Sequence, residues 1–216
     1  DCSMKEDFFY KKASFLSRIG SGSACRSILG GINLWGKHVD IEQSTDLYSI
    51  KYPYEICKDF LDYNDTILLV DTEPKQVSSS EGHKLMKNHI YAEERYKIAQ
   101  KNVTKLKSIL KNGNLHSFTS LIEQEAMMLH ALMMTSNPSY VLIKPNTLKI
   151  INSIKSFRET TKIPVCFTLD AGANVHVLYP KEGENEVKLF IESELKEYCK
   201  NNSFILDKVG TGAVQL

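Results

Sequence analysis

The sequence predicts an α+β fold, a mostly antiparallel sheet of short strands with long helices packed on one face. Short apolar runs bounded by Asp, Gly or Pro stand at 66–70, 164–169 and 175–179, as buried strands do. Segments of helical apolar period lie between and after them, at 91–111, 115–135, 147–160 and 184–200. No internal repeat, linker or low-complexity segment divides the chain, so one domain is expected.

In order along the chain, Phe8, Phe15, Leu16 and Ile19 recur at helical spacing and predict a helix over about 6–18. The apolar run 28–35, broken by Gly30 and Gly31, reads as a strand with a bulge or a close backbone contact. A polar bend at 40–44 precedes a strand at 47–52, which Pro53 ends. One helical turn is expected at 57–61, then the buried strand 66–70, stopped by Asp71, Thr72, Glu73 and Pro74. The charged helix 91–111 has a thin apolar face of Ile98, Val103, Leu106 and Leu110. Asn112-Gly113-Asn114 stops it, and the next helix should pair with it antiparallel. Ile150, Ile151, Ile154 and Phe157 give 147–160 its amphipathic face, and a short strand is expected at 204–206.

At 216 residues the chain can bury a good core. Its 27 basic and 26 acidic residues leave a net charge of +1, too weak a field to favour nucleic acid or an anionic membrane. Any anion must therefore be caught by local geometry. No run of about 18 apolar residues would span a bilayer. Cys2, Cys25, Cys57, Cys166 and Cys199 are odd in number and far apart, which argues against a disulfide framework or zinc site and for a reducing, cytoplasmic setting. The abrupt opening at Asp1-Cys2-Ser3-Met4 reads as a chain whose front part is not represented.

Two stretches carry chemistry. Ser21-Gly22-Ser23-Ala24-Cys25-Arg26-Ser27 offers close-approaching backbone N–H groups, hydroxyl donors and a guanidinium fork suited to a carboxylate or phosphate. A helix opening near Ser23 would add its positive end. On spacing alone the stretch is either an anion cradle or a Gly/Ser loop with a surface arginine. Asp170 follows an apolar strand at a turn of small residues, where it serves either the turn itself or a ligand. Ser78 with Glu81 forms a capping box, so Ser79 and Ser80 read first as a plain helix start and alternatively as further donors to the same anion. Met127, Met128, Met133 and Met134 read as irregular core, and His116 and His130 as structural or exposed. No His/Asp/Glu cluster has metal-ligand spacing.

The stretch Phe15–Gly31 closely resembles the signature of mevalonate diphosphate decarboxylases, within the galactokinase/homoserine kinase/mevalonate kinase (GHMP) superfamily. Thr168-Leu169-Asp170-Ala171-Gly172-Ala173-Asn174-Val175-His176 resembles the late aspartate motif of that family, with Ala173 in place of the usual proline. Val77–Gly82 and Val209–Gly212 resemble its serine/threonine helix start and glycine-spaced ending. The resemblance implies a GHMP-type C-terminal α+β domain over 36–216, with 1–35 a remnant of the core region carrying the Gly-Ser cradle, the two free to pack as one unit. It implies ATP-dependent conversion of (R)-5-diphosphomevalonate to isopentenyl diphosphate, ADP, phosphate and CO₂ in isoprenoid biosynthesis. Asp170 and Arg26 would be catalytic, and Ser21, Gly22, Ser23, Ala24, Cys25, Arg26, Ser79 and Ser80 would bind substrate. Mg²⁺ would arrive with ATP, and a homodimer is implied. The serine/alanine-rich nucleotide loop of the family has no counterpart in 1–216, so this stretch alone is expected to be inactive. A mevalonate-type kinase, a phosphomevalonate decarboxylase and a non-catalytic relative are the competing readings.

Overall fold

The computed structural model describes residues 2–73, 82 and 84–213. These fall into two compact units, one from the described residues of 1–56 and 209–216, the other from 57–208.

In the first unit, helix α1 (Cys2–Gly20) is followed by a six-residue 3-10 turn, Gly22–Ser27. Strands β1 (Asn33–Leu34) and β2 (Ile50–Lys51) pair antiparallel. Hydroxyls join these pieces. Ser14 Oγ, buried on α1, donates to the Cys25 carbonyl at 2.9 Å, and Ser49 Oγ donates to the same oxygen at 2.6 Å. The Ser49 N–H donates back to Ser14 Oγ at 3.0 Å. A buried carbonyl outside a regular ladder needs such partners. The strand expected over 28–35 is in fact two pieces, because Leu29 bridges Gly212 and only Asn33–Leu34 joins β2. Gly31 N–H donates to Gly210 at 2.9 Å, and Ala213 N–H to Ile28 at 3.2 Å. Glycine is required at position 30, where a Cβ would stand 2.2 Å from the Thr211 carbonyl oxygen. These contacts hold 36–56 to the first unit, so packing divides the chain at 56/57 while the motifs divide it at 35/36.

In the second unit, β3 (Asn64–Leu68), β4 (Cys166–Leu169), β5 (Val175–Tyr179) and β6 (Phe204–Lys208) form one sheet in the order β4-β5-β3-β6. Every neighbouring pair is antiparallel. Helix α2 (Ala92–Asn112) ends at Gly113, whose φ of 68° lies in the left-handed region. Asn114 then caps α3 (Leu115–Met134), accepting the Ser117 N–H at 2.9 Å. The two helices run antiparallel and are tied by Glu125, which accepts from Arg95 at 2.5 Å and from Asn102 at 2.6 Å. Helix α4 (Pro145–Thr161) starts two residues earlier than expected, with Pro145 in its first turn where no N–H is needed.

The helix expected over 184–200 does not keep a single helical form. It runs as α5 (Glu184–Phe190), widens into a π turn at Ile191–Leu195, and ends in 3-10 turns. That path keeps Val187, Phe190, Ile191 and Leu195 all buried while Lys200 N–H reaches the Leu69 carbonyl at 2.7 Å.

Strand alternation makes the sheet two-faced. Leu68, Phe167, Leu169, Val175, Val177 and Tyr179 point into the core with Ile150, Ile151 and Ile154 of α4. Phe157 stacks on Phe190 with centroids 4.1 Å apart. The opposite face carries Asp65, Ile67, Thr168 and His176, all half-buried.

Truncating Ile154, which is 0% exposed, leaves a cavity at the centre of this core. Ile154→Ala should therefore lower the unfolding free energy by about 2–5 kcal/mol in urea titrations. Ile205→Ala, on exposed β6, should change it by no more than about 0.5 kcal/mol; equal effects would refute this assignment of the core.

Candidate active site

The early Gly/Ser stretch leaves α1 through Ser21, which is extended (φ −151°, ψ 123°), and then winds into the 3-10 turn Gly22–Ser27. So short a turn supplies little of the positive helix end expected near Ser23. What it presents is side chains. Ser23, Ala24, Arg26, Ser27, Gly31 and Asn33 line a shallow recess of about 400 Å³. Arg26 is exposed, and the Asn33 amide is held by the Leu29 and Gly31 carbonyls at 2.9 and 3.0 Å. Cys25 turns inward and is fully buried; burial raises its thiol pKa. At Gly22 a Cβ would lie 3.0 Å from the Trp35 ring, so its lack of a side chain makes room for the indole.

Asp170 ends β4, and its side chain is 84% exposed. Its turn, by contrast, is held from three directions. His130 Nε2 on α3 donates to the Asp170 carbonyl at 3.1 Å. Thr147 Oγ1 on α4 donates to the Ala173 carbonyl at 2.7 Å. The Asp71 N–H, just after β3, donates to Asn174 Oδ1 at 2.9 Å, and Lys144 pairs with the Asp71 carboxylate. That hydrogen-bonded pairing is the main cause of the lowered Asp71 pKa. An exposed carboxylate thus rides on a fixed backbone.

Two histidines stand against this turn, and their pKa values shift in opposite directions. Burial depresses the pKa of His130, only partly offset by its bond to the Asp170 carbonyl. The ring is therefore neutral and carries its proton on Nε2, since a carbonyl can only accept. Burial also works against the charged form of His176. There the hydrogen bond to Asp65 and the charges of Asp65, Asp170 and Asp207 outweigh it, and the pKa is raised. His176 Nδ1 lies 3.1 and 2.9 Å from the two Asp65 carboxylate oxygens, and Nε2 lies 4.0 Å from Asp170 Oδ2.

Of the sequence candidates, Ser23, Ala24 and Arg26 share the recess, and Ser21 and Gly22 lead into it. Cys25 lies beneath it. Arg26 belongs to the first unit and Asp170 to the second. Ser79 and Ser80 lie outside the described residues. Sequence reasoning missed His130, Thr147, Asp65 and His176 as parts of the Asp170 environment. His176 stood in the same motif, but its partner Asp65 is 111 residues away, and no local spacing announces that pair.

A family model for the mevalonate 5-diphosphate decarboxylase C-terminal domain matches residues 66–212, more than half of the chain. The diphosphomevalonate decarboxylase of Debaryomyces hansenii is 25% identical over 179 residues, covering 81% of this chain and 45% of that protein. The crystal structure of mevalonate diphosphate decarboxylase from Staphylococcus aureus is similar with a TM-score of 0.78 at 25% identity, covering 94% of this chain and 59% of that one. A structure described as MDDEF in complex with MVAPP, AMPPCP and magnesium gives 0.79 at 25% identity, with coverages of 94% and 59%. The chain spans about half the length of the curated relatives it matches.

The two histidines should pull stability in opposite directions with pH. His130 has a lowered folded pKa, so its contribution is lost as pH falls through the unfolded value of about 6.5. His176 has a raised one, so its contribution is complete below about 6.5 and is lost as pH rises through the folded value. Between about pH 7.5 and 5.5, around that imidazole range, the urea midpoint of His176→Gln should fall more steeply than that of wild type, and that of His130→Gln less steeply. Parallel curves for all three proteins would refute both assignments.

Proposed function

The chain belongs to the family of mevalonate 5-diphosphate decarboxylase C-terminal domains, and from that premise we propose that it is the substrate-side portion of an ATP-dependent diphosphomevalonate decarboxylase. The reaction converts (R)-5-diphosphomevalonate to isopentenyl diphosphate, ADP, phosphate and CO₂, a cytoplasmic step of isoprenoid synthesis. The observation that carries the reading is the Asp170 turn: an ionisable side chain 84% exposed, on a backbone that three separate elements immobilise. Fixing a reacting group this way is how a protein converts binding into rate.

Asp170 would accept the hydrogen bond of the substrate's tertiary hydroxyl, holding or removing its proton at a carboxylate oxygen. As the activated oxygen leaves, positive charge grows on its carbon, and the same carboxylate stabilises it. The electron pair of the breaking C–C bond then forms the alkene, and CO₂ departs. Arg26 would hold the substrate carboxylate with its planar fork until that point. Ser21, Gly22, Ser23 and Ala24 would complete the cradle around carboxylate or phosphate, Cys25 would supply its floor, and Ser79 and Ser80 would lie near the diphosphate. ATP would supply the phosphoryl group that makes the hydroxyl a leaving group. Mg²⁺ would arrive with the nucleotide. The related structure with MVAPP, AMPPCP and magnesium supports ligands of this kind here. Among the described residues no helix is long and apolar enough to cross a membrane. The working protein is proposed to be a homodimer, which light scattering would read.

Measuring ADP and CO₂ together from diphosphomevalonate and ATP, with the full-length protein, tests the reading. The two should appear in equal amounts. Asp170→Asn should lower kcat by about 10²–10⁴-fold, the range for a lost proton-transfer partner. Arg26→Lys keeps the charge but loses the fork, and should lower kcat/KM by about tenfold or more. ADP without CO₂ would replace this reading with that of a kinase.

A further inference from the structure

The turn clamps fix the backbone of Asp170 but leave its side chain without restraint from them. Among the described residues, the cationic partner within ion-pair distance of its carboxylate is His176, at 4.0 Å. His176 sits on β5, directly opposite Thr168 on β4 and Ile67 on β3, with its side chain 20% exposed. Asp65 lies two residues along β3 and brings both carboxylate oxygens to Nδ1, at 3.1 and 2.9 Å. Asp207 on β6 stands opposite Asp65 in register. The groups facing the imidazole are therefore Asp65, Asp207 and Asp170, with the Thr168 hydroxyl-bearing side chain across the strand.

We propose that His176 is a positioning residue for Asp170, oriented by Asp65 so that Nε2 faces the Asp170 carboxylate and fixes where it points. This deepens the reading of Asp170 as the group that meets the substrate hydroxyl, and rests on it. Asp65 accepts the Nδ1–H hydrogen bond and so sets which ring nitrogen faces outward, the same role a carboxylate plays behind other working histidines. When the ring is an imidazolium, Nε2–H points a donor at Asp170. When it is neutral, with its proton kept on Nδ1 by Asp65, a lone pair faces the carboxylate and the restraint is gone. The direction of the His176 shift, upward despite burial, favours the imidazolium. Asp170 should then be held where the reaction needs it at neutral pH and released as His176 deprotonates.

The test has a structural and a kinetic arm. In NMR titrations of the imidazole, Asp170→Asn and Asp65→Asn should each lower the His176 pKa. In assays of the full-length protein, His176→Gln should lower kcat by about 10²-fold, the cost of a misplaced reacting group, with KM nearly unchanged. Wild-type kcat should fall on the alkaline side with the pKa that NMR assigns to His176. His176→Lys, a cation over that whole range, should restore most of kcat and abolish that alkaline limb. Should His176→Gln fold poorly, Asp65→Asn carries the same kinetic expectation. An unmoved His176 pKa in Asp170→Asn, a wild-type pH profile in His176→Gln, or failure of His176→Lys to restore kcat would each overturn the proposal. If the wild-type protein releases no CO₂, the decarboxylase reading fails, while the titration arm still decides whether His176 holds Asp170.

Discussion

A tight turn at the rim of a sheet leaves carbonyl groups that neither flanking strand can satisfy, and burying them unpaired costs about 1–3 kcal/mol each. In the second unit two side chains meet that demand for the turn after β4, and a third contact ties the turn to the residues after β3. His130 reaches it from α3, Thr147 from α4, and Asn174 of the turn itself takes the Asp71 N–H beyond β3. Each bond is modest in net energy. Together they make the position of one aspartate a function of the whole core, because α3, α4 and the sheet must pack correctly before the three donors and acceptors coincide. The buried isoleucines of α4 and the stacked Phe157 and Phe190 thus bear on the candidate site without lying near its chemistry.

The same geometry explains why burial prevails at one histidine and is outweighed at the other. His130 faces a carbonyl, a dipole that accepts one hydrogen bond but offers too little field to offset burial. His176 faces carboxylates, and these reverse the effect of burial. Asp65 and Asp207, directly opposite on neighbouring strands, would repel each other in isolation. A protonated His176 ring beside Asp65 would offset that repulsion.

Much of the fold could be read from periodicity. The strands β3, β4 and β5, the helices α2, α3 and α4, and the glycine stop at Gly113 follow directly from apolar spacing and turn residues. What could not be read arises from contacts distant in sequence. The run 28–35 looks like one strand until residues 210–213 are seen pairing with its first half. The segment 184–200 has helical periodicity, yet tertiary packing widens it into a π turn. At the site, Arg26 and Asp170 announced themselves through neighbours in the chain. Asp65, His130 and Thr147 did not, since each meets the Asp170 region only through the folded sheet and helices.

The two units differ in how their residues are distributed along the polypeptide. The second is built from one uninterrupted stretch, 57–208, whereas the first needs residues 209–213 laid against Leu29, Gly30 and Gly31. During synthesis the uninterrupted stretch can complete its sheet as soon as it has emerged from the ribosome. Leu29 and its neighbours, made earlier, stay without these partners until residues 209–213 arrive. The stretch 57–208 can therefore fold before the segment that precedes it has met its pairing partners.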